Sequence, residues 1–166
     1  MRGTLMPSSR FLVKRMLSKI NFDHDRDILQ LGYGNGVFTK ELLLRMNHTS
    51  TLTIFEIDPW CEQYRIDDTR IRYIEDTAEK VSSYCGDRKF DTIISTLPFA
   101  SLPQRMCENI FHEIRHHLAM KWKFLQFQYS LYSRKTIYGL FHIEPKIDFE
   151  FRNLPPAFIY EVVRTQ

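Results

Sequence analysis

The chain has 166 residues, 43% of them hydrophobic, so it can bury one good core and we expect a single domain over 1–166. Its formal charge of +3 is too small to indicate a nucleic-acid-binding protein by itself. Its widely spaced cysteines fit neither a disulfide framework nor a zinc ribbon, and no stretch has the ~20 apolar residues of a membrane span. We therefore expect a cytoplasmic protein whose membrane contact, if any, is peripheral.

Helix and strand patterns alternate along the chain. Ser8 or Ser9 can cap a first helix, and residues 1–22 are interpreted as a basic amphipathic segment whose charges face outward, toward an anionic membrane. Strands are predicted at 28–31, 51–58, 71–76, 90–96 and 123–130, with helices at 37–46, from Pro59, at 78–84 and at 104–117. Two final strand-like runs, 140–153 and 157–164, predict a closing hairpin.

This alternation predicts an α/β fold: a Rossmann-like sandwich with a mostly parallel sheet, helices on both faces and a C-terminal antiparallel hairpin. In such sheets, ligands bind beyond the carboxyl ends of the strands. The stretch LQLGYGNGVFTK places Gly32, Gly34 and Gly36 at such an end, where glycines typically allow a ligand to approach the backbone. The spacing fits neither the dinucleotide fingerprint nor a P-loop, which leaves S-adenosylmethionine as the predicted cofactor.

Acidic residues at the next two strand ends support this cofactor. Glu56 is placed to accept hydrogen bonds from two ribose hydroxyls, and Asp76 to accept from the adenine amine. Each could equally be a polar strand terminus, but their order along the chain favours one site. The predicted cofactor-binding set is Gly32, Tyr33, Gly34, Gly36, Glu56, Ile57, Asp76, Thr77 and Ser95.

The segments GTLMPSSRFLVKRML, LGYGNGVFTKELL, STLPFASLP, FLQFQYS and RNLPPAFIYEVVR carry a family resemblance. The chain resembles class I S-adenosylmethionine-dependent methyltransferases and, over nearly its whole length, bacterial phospholipid N-methyltransferases, which convert phosphatidylethanolamine stepwise toward phosphatidylcholine. The resemblance implies that the acceptor is the amine of phosphatidylethanolamine or a partly methylated derivative, presented at a membrane surface.

An amine must be neutral to attack the methyl group, and its methylated product is a cation that aromatic rings stabilise. Phe99 follows the fourth predicted strand and Tyr129 lies at the end of the fifth, and these two are the predicted catalytic residues. Tyr33 and Tyr132 are further aromatic candidates, the second as a substrate-binding residue. Two arginines, Arg10 and Arg152, are predicted to hold a lipid phosphate.

Other functions stay open at this point. The run Thr96-Leu97-Pro98-Phe99 resembles the Asn-Leu-Pro-Tyr of ribosomal RNA adenine dimethyltransferases, which makes RNA the second candidate acceptor and a small amine the third. Gln30 stands where methyltransferases usually have an acid, and Tyr33 where a small residue is common. A degenerate domain that binds a partner or lipid without turnover is therefore a further alternative. The sequence does not indicate the oligomeric state.

One motif points to different chemistry. Residues 112–116 read HEIRH, which matches the zinc-protease pattern of two histidines one helical turn apart with a glutamate base. The third ligand is missing at the usual spacing. We therefore expect no metal site.

Overall fold

A computed structural model describes residues 8–131 and 133–165. Its helices are α1 (Arg10–Leu17), α2 (Val37–Leu43), α3 (Val81–Cys85), α4 (Gln104–His117) and α5 (Ser133–Phe141). Its strands are β1 (Asp27–Leu31), β2 (Thr51–Phe55), β3 (Ile71–Ile74), β4 (Phe90–Ser95), β5 (Leu118–Gln128), β6 (Lys146–Glu150) and β7 (Ala157–Arg164). Short 3-10 turns lie at Pro59–Tyr64, Ala78–Lys80 and Phe99–Ser101.

The strands form one seven-stranded sheet in the order β3-β2-β1-β4-β5-β7-β6. The first five strands along the chain pair in parallel, whereas β7 is antiparallel to both β5 and β6. The predicted Rossmann-like sandwich with a closing hairpin is therefore confirmed. Because β6 runs parallel to β5, its carboxyl end lies on the same edge as the ends of the other parallel strands.

A hydrophobic core lies on each face of the sheet. On one face, α1 and α2 bury residues such as Leu12, Met16 and Leu42 against alternate strand positions. On the other face, α3, α4 and α5 pack over the remaining strand positions, including Phe90 and Phe124. Alternate residues of a strand point to opposite faces, so a strand covered on both sides is mostly apolar.

The structure differs from the sequence-based prediction mainly near the C-terminus. The helix α5 was missed, and the strand predicted from residue 140 begins only at Lys146. The sequence of α5, SRKTIYGLF, contains threonine, isoleucine, tyrosine and glycine, all weak helix formers. Ile137 and Leu140 are nevertheless buried at helical spacing, and this spacing was the available signal. Upstream, β2 and β3 end two or three residues earlier than predicted, and β5 begins earlier, at Leu118.

The helix α1 forms as predicted, with the Ser9 side chain accepting from the Leu12 N–H at 3.2 Å as an N-cap. Residues 1–7 of the predicted basic segment lie outside the described residues, and the charges of its described part do not all face outward. Arg15 pairs with Glu150 at 3.3 Å, and Lys19 pairs with Asp148 and Glu161 on the hairpin. These two cations therefore tie α1 to the sheet edge. Within residues 8–131 and 133–165, no helix is long and apolar enough to cross a bilayer.

Candidate active site

The carboxyl edge of the sheet brings the predicted cofactor residues together. Leu31 is level with Phe55 in β2 and with Ser95 in β4, and Phe55 is level with Ile74 in β3. The loops that follow these residues therefore leave the sheet side by side. We call the carboxyl ends of β1, β2 and β3 the cofactor end, and those of β5 and β6 the acceptor end.

The glycine turn at the cofactor end has a left-handed backbone, with φ of +88° at Gly32, +57° at Gly34 and +75° at Gly36. Side chains of the protein also lie close to two of these glycines. A Cβ at Gly32 would lie 2.4 Å from the Thr96 hydroxyl oxygen, and one at Gly36 would lie 2.7 Å from the Tyr33 hydroxyl oxygen. The sequence explained the glycines by a ligand alone, whereas packing within the chain already requires two of them.

Gln30 has a structural role that accounts for its departure from the usual acid. Its side chain is fully buried, its Nε2 donates to the Gly32 carbonyl at 2.8 Å, and its Oε1 accepts from the Thr39 hydroxyl at 2.9 Å. A carboxylate could accept from the threonine but could not donate to the carbonyl. The amide therefore ties the glycine turn to α2.

Glu56 fastens the turn from the other side. Its Oε2 accepts from the backbone N–H of Tyr33 at 2.8 Å and of Gly34 at 3.1 Å, and its Oε1 accepts from the Asp58 N–H at 2.9 Å. A carboxylate has about four acceptor positions, so part of its capacity remains for a ligand. Glu56 is thus both a clamp on the turn and a candidate ribose acceptor.

Tyr33 lies inside the protein and not over the turn. Its ring packs edge-on against Tyr73, with the ring centroids 5.4 Å apart, and its hydroxyl donates to the Tyr64 carbonyl. Burial raises the pKa of this hydroxyl, so Tyr33 remains a neutral donor. The bulky residue at this position thereby links the turn to the Pro59–Tyr64 segment.

Asp76 lies in a small polar cluster after β3. It accepts from the Tyr84 hydroxyl at 2.8 Å, from Lys80 Nζ at 3.0 Å and from the Thr77 N–H at 2.8 Å. The Tyr84 hydrogen bond, and then that of Lys80, lower the pKa of Asp76, so the carboxylate is ionised at neutral pH. Thr77 itself caps the short turn that follows by accepting from the Glu79 N–H at 3.3 Å.

Two further predicted cofactor residues lie on either side of the turn. Ser95 is fully buried, and its hydroxyl accepts from the Leu97 N–H at 3.3 Å. Ile57 follows Glu56 and exposes 68% of its surface, which is unusual for a β-branched apolar residue next to a strand end. It offers apolar surface beside the carboxylate.

The two predicted catalytic residues, Tyr129 at the acceptor end and Phe99 after β4, have different surroundings. Tyr129 is partly exposed after β5, and its ring contacts Phe127 at a centroid distance of 5.8 Å. Burial of its remaining part raises the pKa of its hydroxyl. Phe99 is buried against Phe111 at 4.6 Å, so its ring is part of the core. Tyr132 lies outside the described residues.

Two buried glutamines, which the sequence analysis did not select, hold the loop after β4. Gln126 and Gln128 both donate to the Leu97 carbonyl, at 2.9 Å and 3.0 Å. Among the described residues, Gln126 Oε1 is buried and has no donor. The signal for them was the alternation FLQFQ, in which polar amides occupy one face of a strand that is covered on both sides.

The acceptor end also joins two segments that lie far apart in the sequence. Asn153 Oδ1 accepts from the Ser9 N–H at 2.8 Å, and its Nδ2 donates to the Pro155 carbonyl at 2.7 Å. Arg152 lies 4.3 Å above the Phe11 ring and binds both oxygens of Glu150, at 2.9 Å and 3.1 Å. Those hydrogen bonds hold the pKa of the Glu150 carboxyl at about 2. Arg10, the other predicted phosphate ligand, is exposed at the start of α1.

The methyltransferase small domain family matches residues 2–129. The chain belongs to this family. It is 27% identical to an ornithine lipid N-methyltransferase of Singulisphaera acidiphila over 95% of this chain and 86% of that protein. The fold is similar to precorrin-6y C5,15-methyltransferase from Geobacter metallireducens GS-15, with a TM-score of 0.78, 12% identity and coverage of 99% and 93% of the two chains. It is also similar to the N-methyltransferase NodS of Bradyrhizobium japonicum WM9 in complex with S-adenosyl-L-homocysteine, with a TM-score of 0.69, 12% identity and coverage of 95% and 89%.

The chain is therefore an S-adenosylmethionine-dependent methyltransferase. At the cofactor end, Glu56 and Asp76 place carboxylate oxygens after neighbouring strands, and Ile57 exposes apolar surface next to Glu56 in the chain. The three glycines of the turn, which have no Cβ, leave its backbone open to close approach beside these groups.

The HEIRH segment of the methyltransferase has a structural role. His112 is exposed on α4, whereas Glu113 turns inward and accepts from the Ser82 N–H at 2.6 Å and the Ser82 hydroxyl at 2.7 Å. His116 lies 3.2 Å from the Asp87 carboxylate. No group of three or more potential metal ligands occurs within residues 8–131 and 133–165.

His117 makes the stability of the methyltransferase depend on pH. The side chain is fully buried, with its Nδ1 2.7 Å from the Arg88 carbonyl and its Nε2 3.1 Å from the Ser82 hydroxyl. Burial lowers the pKa of His117 from 6.5, against the smaller opposing effects of the hydrogen bond to the Arg88 carbonyl and of the Glu113 charge. The unfolded chain then binds this proton first, so stability is retained above pH ~6.5 and falls below it.

We expect the free energy of unfolding to fall by up to about 1.4 kcal/mol per pH unit below pH ~6.5 because of this residue. Urea titrations at several pH values measure the slope. The His117→Gln variant should have a flatter profile, and His112→Gln, on the exposed side of α4, should retain the wild-type slope. Equal slopes in wild type and His117→Gln would contradict the assignment.

Proposed function

We propose that this methyltransferase methylates the amine of a membrane lipid, such as an ornithine lipid or phosphatidylethanolamine. The observation that carries the proposal is the similarity to an ornithine lipid N-methyltransferase over 95% of the chain. The acceptor end is consistent with it, because an exposed tyrosine stands there beside the joined Ser9 and Asn153 segments. The shared chemistry of both lipids is a primary alkyl amine at a bilayer surface.

The cofactor-binding residues in this proposal are the Gly32 to Gly36 turn, Glu56, Ile57 and the Asp76 cluster. The bound cofactor supplies an electrophilic methyl group on a sulfonium. Glu56 fixes the turn and offers its remaining acceptor positions to the ribose hydroxyls. Asp76 is ionised and accepts from an exocyclic amine. Ile57 covers one face of the adenine.

Tyr129 is proposed to orient the acceptor amine. The raised pKa of its hydroxyl means that Tyr129 stays protonated at neutral pH, so it cannot take the amine's proton. Its oxygen can accept a hydrogen bond from the neutral amine, and its ring face can stabilise the methylated ammonium. The amine must therefore lose its proton to water before transfer. With a lysine-like pKa of ~10.4, about one molecule in two thousand or fewer is neutral at pH 7.

RNA is the weaker candidate acceptor. Thr96 donates to the Leu31 and Gly32 carbonyls at 3.3 Å and 3.2 Å, so its hydroxyl is already engaged. Phe99 is buried against Phe111 and would have to leave the core to stack on a base. Both residues of the motif that suggested adenine therefore have other roles in this conformation.

The proposal is tested with labelled S-adenosylmethionine and vesicles that contain either ornithine lipid or phosphatidylethanolamine. We expect methylated lipid, with a rate that rises up to about tenfold per pH unit between neutral and mildly alkaline pH as more amine is neutral. Tyr129→Phe should lower the rate and leave cofactor affinity unchanged. Methylation of adenine-containing RNA but of neither lipid would overturn the proposal, and cofactor binding without any methylated product would favour the degenerate domain.

A further inference from the structure

The acceptor end exposes apolar side chains that the fold does not need. Leu131 after β5 is 51% exposed, and Phe151 and Leu154 in the turn between β6 and β7 are 68% and 84% exposed. All three lie at the same edge as Tyr129, because β5 and β6 are parallel. We call Leu131, Phe151 and Leu154 the apolar rim. Neighbouring exposed apolar residues at one edge mark an interaction surface more often than isolated ones do.

The turn between β6 and β7, which carries Phe151 and Leu154, is held in place. Asn153 is buried and bonded to Ser9 and Pro155, and Arg152 is fixed by Glu150 and by the ring of Phe11. Phe151 and Leu154 flank these two anchored residues. Their exposure is therefore a property of a tied turn on the edge of the sheet.

The first helix cannot supply an apolar membrane contact. Its apolar residues Leu12, Val13, Met16 and Leu17 are fully buried against the sheet. Arg15 and Lys19 are paired with acids of the hairpin. Of the helix, only the polar face with Arg10 and Lys14 remains exposed.

The charges on the carboxyl edge are unevenly divided. The cofactor end carries the acids Glu56, Asp58, Glu62, Glu75 and Asp76 together with the cations Arg65 and Lys80, which pair with Glu75 and Asp76, so acids outnumber cations there. Around the rim are the exposed cations Arg10, Lys135 and Arg152, and the nearby Glu150 is buried between Arg15 and Arg152. Cations beside exposed apolar side chains complement an anionic bilayer, since the cations meet the headgroups and the apolar groups enter the acyl boundary.

We propose that the apolar rim is the membrane-docking surface of this enzyme, with Phe151 and Leu154 entering an anionic bilayer and Arg10, Lys135 and Arg152 meeting its headgroups. This inference rests on the proposed function. It places the membrane at the acceptor end, so that a lipid amine passes Tyr129 while the cofactor end remains in water.

The test compares the binding of two double variants to vesicles of phosphatidylcholine with and without phosphatidylglycerol. Phe151→Ser with Leu154→Ser should weaken binding to the anionic vesicles about tenfold or more. The matched control is Leu44→Ser with Met120→Ser, which removes residues of similar size that are 73% and 88% exposed toward the opposite edge of the sheet. It should bind like wild type. Added salt should weaken wild-type binding, because the cationic contribution is screened.

Activity separates this inference from the proposed function. The rim variant should methylate a short-chain, monomerically dispersed aminolipid at the wild-type rate, and should lose activity only on vesicles. If wild-type protein methylated no aminolipid, the proposed function would be overturned, whether or not the protein binds vesicles. If the rim variant bound anionic vesicles with the same affinity as wild type, the docking proposal would be overturned. A lipid-free dimer that the rim variant converts to monomer would also overturn it, by assigning the rim to self-association.

Discussion

Replacing Gly32 by alanine should lower the free energy of unfolding by about 2–5 kcal/mol, because a left-handed backbone costs about 1–2 and overpacking about 1–3 kcal/mol. The new Cβ would lie 2.4 Å from the Thr96 hydroxyl oxygen, on a residue with φ of +88°. Thr96 cannot simply rotate away without loss, since its hydroxyl donates to the Leu31 and Gly32 carbonyls. The first residue of the turn is thus fixed by contacts within the chain.

Urea denaturation followed by circular dichroism measures this cost. Gly139→Ala is the matched control, because Gly139 lies within α5 and a Cβ there has no neighbour within 4 Å. A helix-interior glycine replaced by alanine should gain about 0.5–1 kcal/mol. In the Gly32→Ala background, Thr96→Ala should recover part of the loss by removing the clashing oxygen. Equal stability of Gly32→Ala and Gly139→Ala would refute the packing argument.

The sheet and the cofactor end could be predicted because they rest on local patterns. Buried strands are mostly apolar, and a parallel sheet brings the ends of neighbouring strands to one edge. The glycine turn, Glu56 and Asp76 each follow such an end, so their proximity could be inferred from the order of elements alone. Their contacts with the cofactor remain predictions.

The acceptor end could not be predicted in the same way, because its contacts join segments that are distant in sequence. Ser9 and Asn153 are 144 residues apart, and Gln126 reaches across to Leu97. No local periodicity encodes these hydrogen bonds. The burial of Phe99 was open for the same reason, since only the position of α4 decides what an aromatic residue after β4 contacts.

The pairing partners of the basic residues in and after α1 also could not be predicted from the local sequence. A helix with basic residues on several sides is typical of a membrane-surface segment when its partners are unknown. The acids of β6 and β7 that engage Arg15 and Lys19 lie more than a hundred residues later. These cations therefore form salt bridges that hold the N-terminal segment against the hairpin. The exposed apolar residues lie instead in the hairpin turn, at Phe151 and Leu154.

Replacing Glu56 by alanine should weaken cofactor binding by about 2–4 kcal/mol, or roughly 30- to 1,000-fold in Kd. Two effects add. The ribose hydroxyls lose a charged acceptor, and the N–H groups of Tyr33 and Gly34 lose the oxygen that holds the turn in its binding shape. Glu56→Gln should have a smaller effect, because one amide oxygen can still accept from the turn while its NH2 group faces the Asp58 N–H.

Isothermal titration with S-adenosylmethionine measures these affinities. Glu62→Ala is the matched control, since it removes the same charge from an exposed position in the neighbouring Pro59–Tyr64 turn. If Glu56 acts through hydrogen bonds, Glu62→Ala should bind nearly as wild type. If it acts only through net charge, the two alanine variants should lose similar affinity. Unchanged binding by Glu56→Ala would remove Glu56 from the cofactor site, and the glycine turn would then bind the cofactor without the acid after β2.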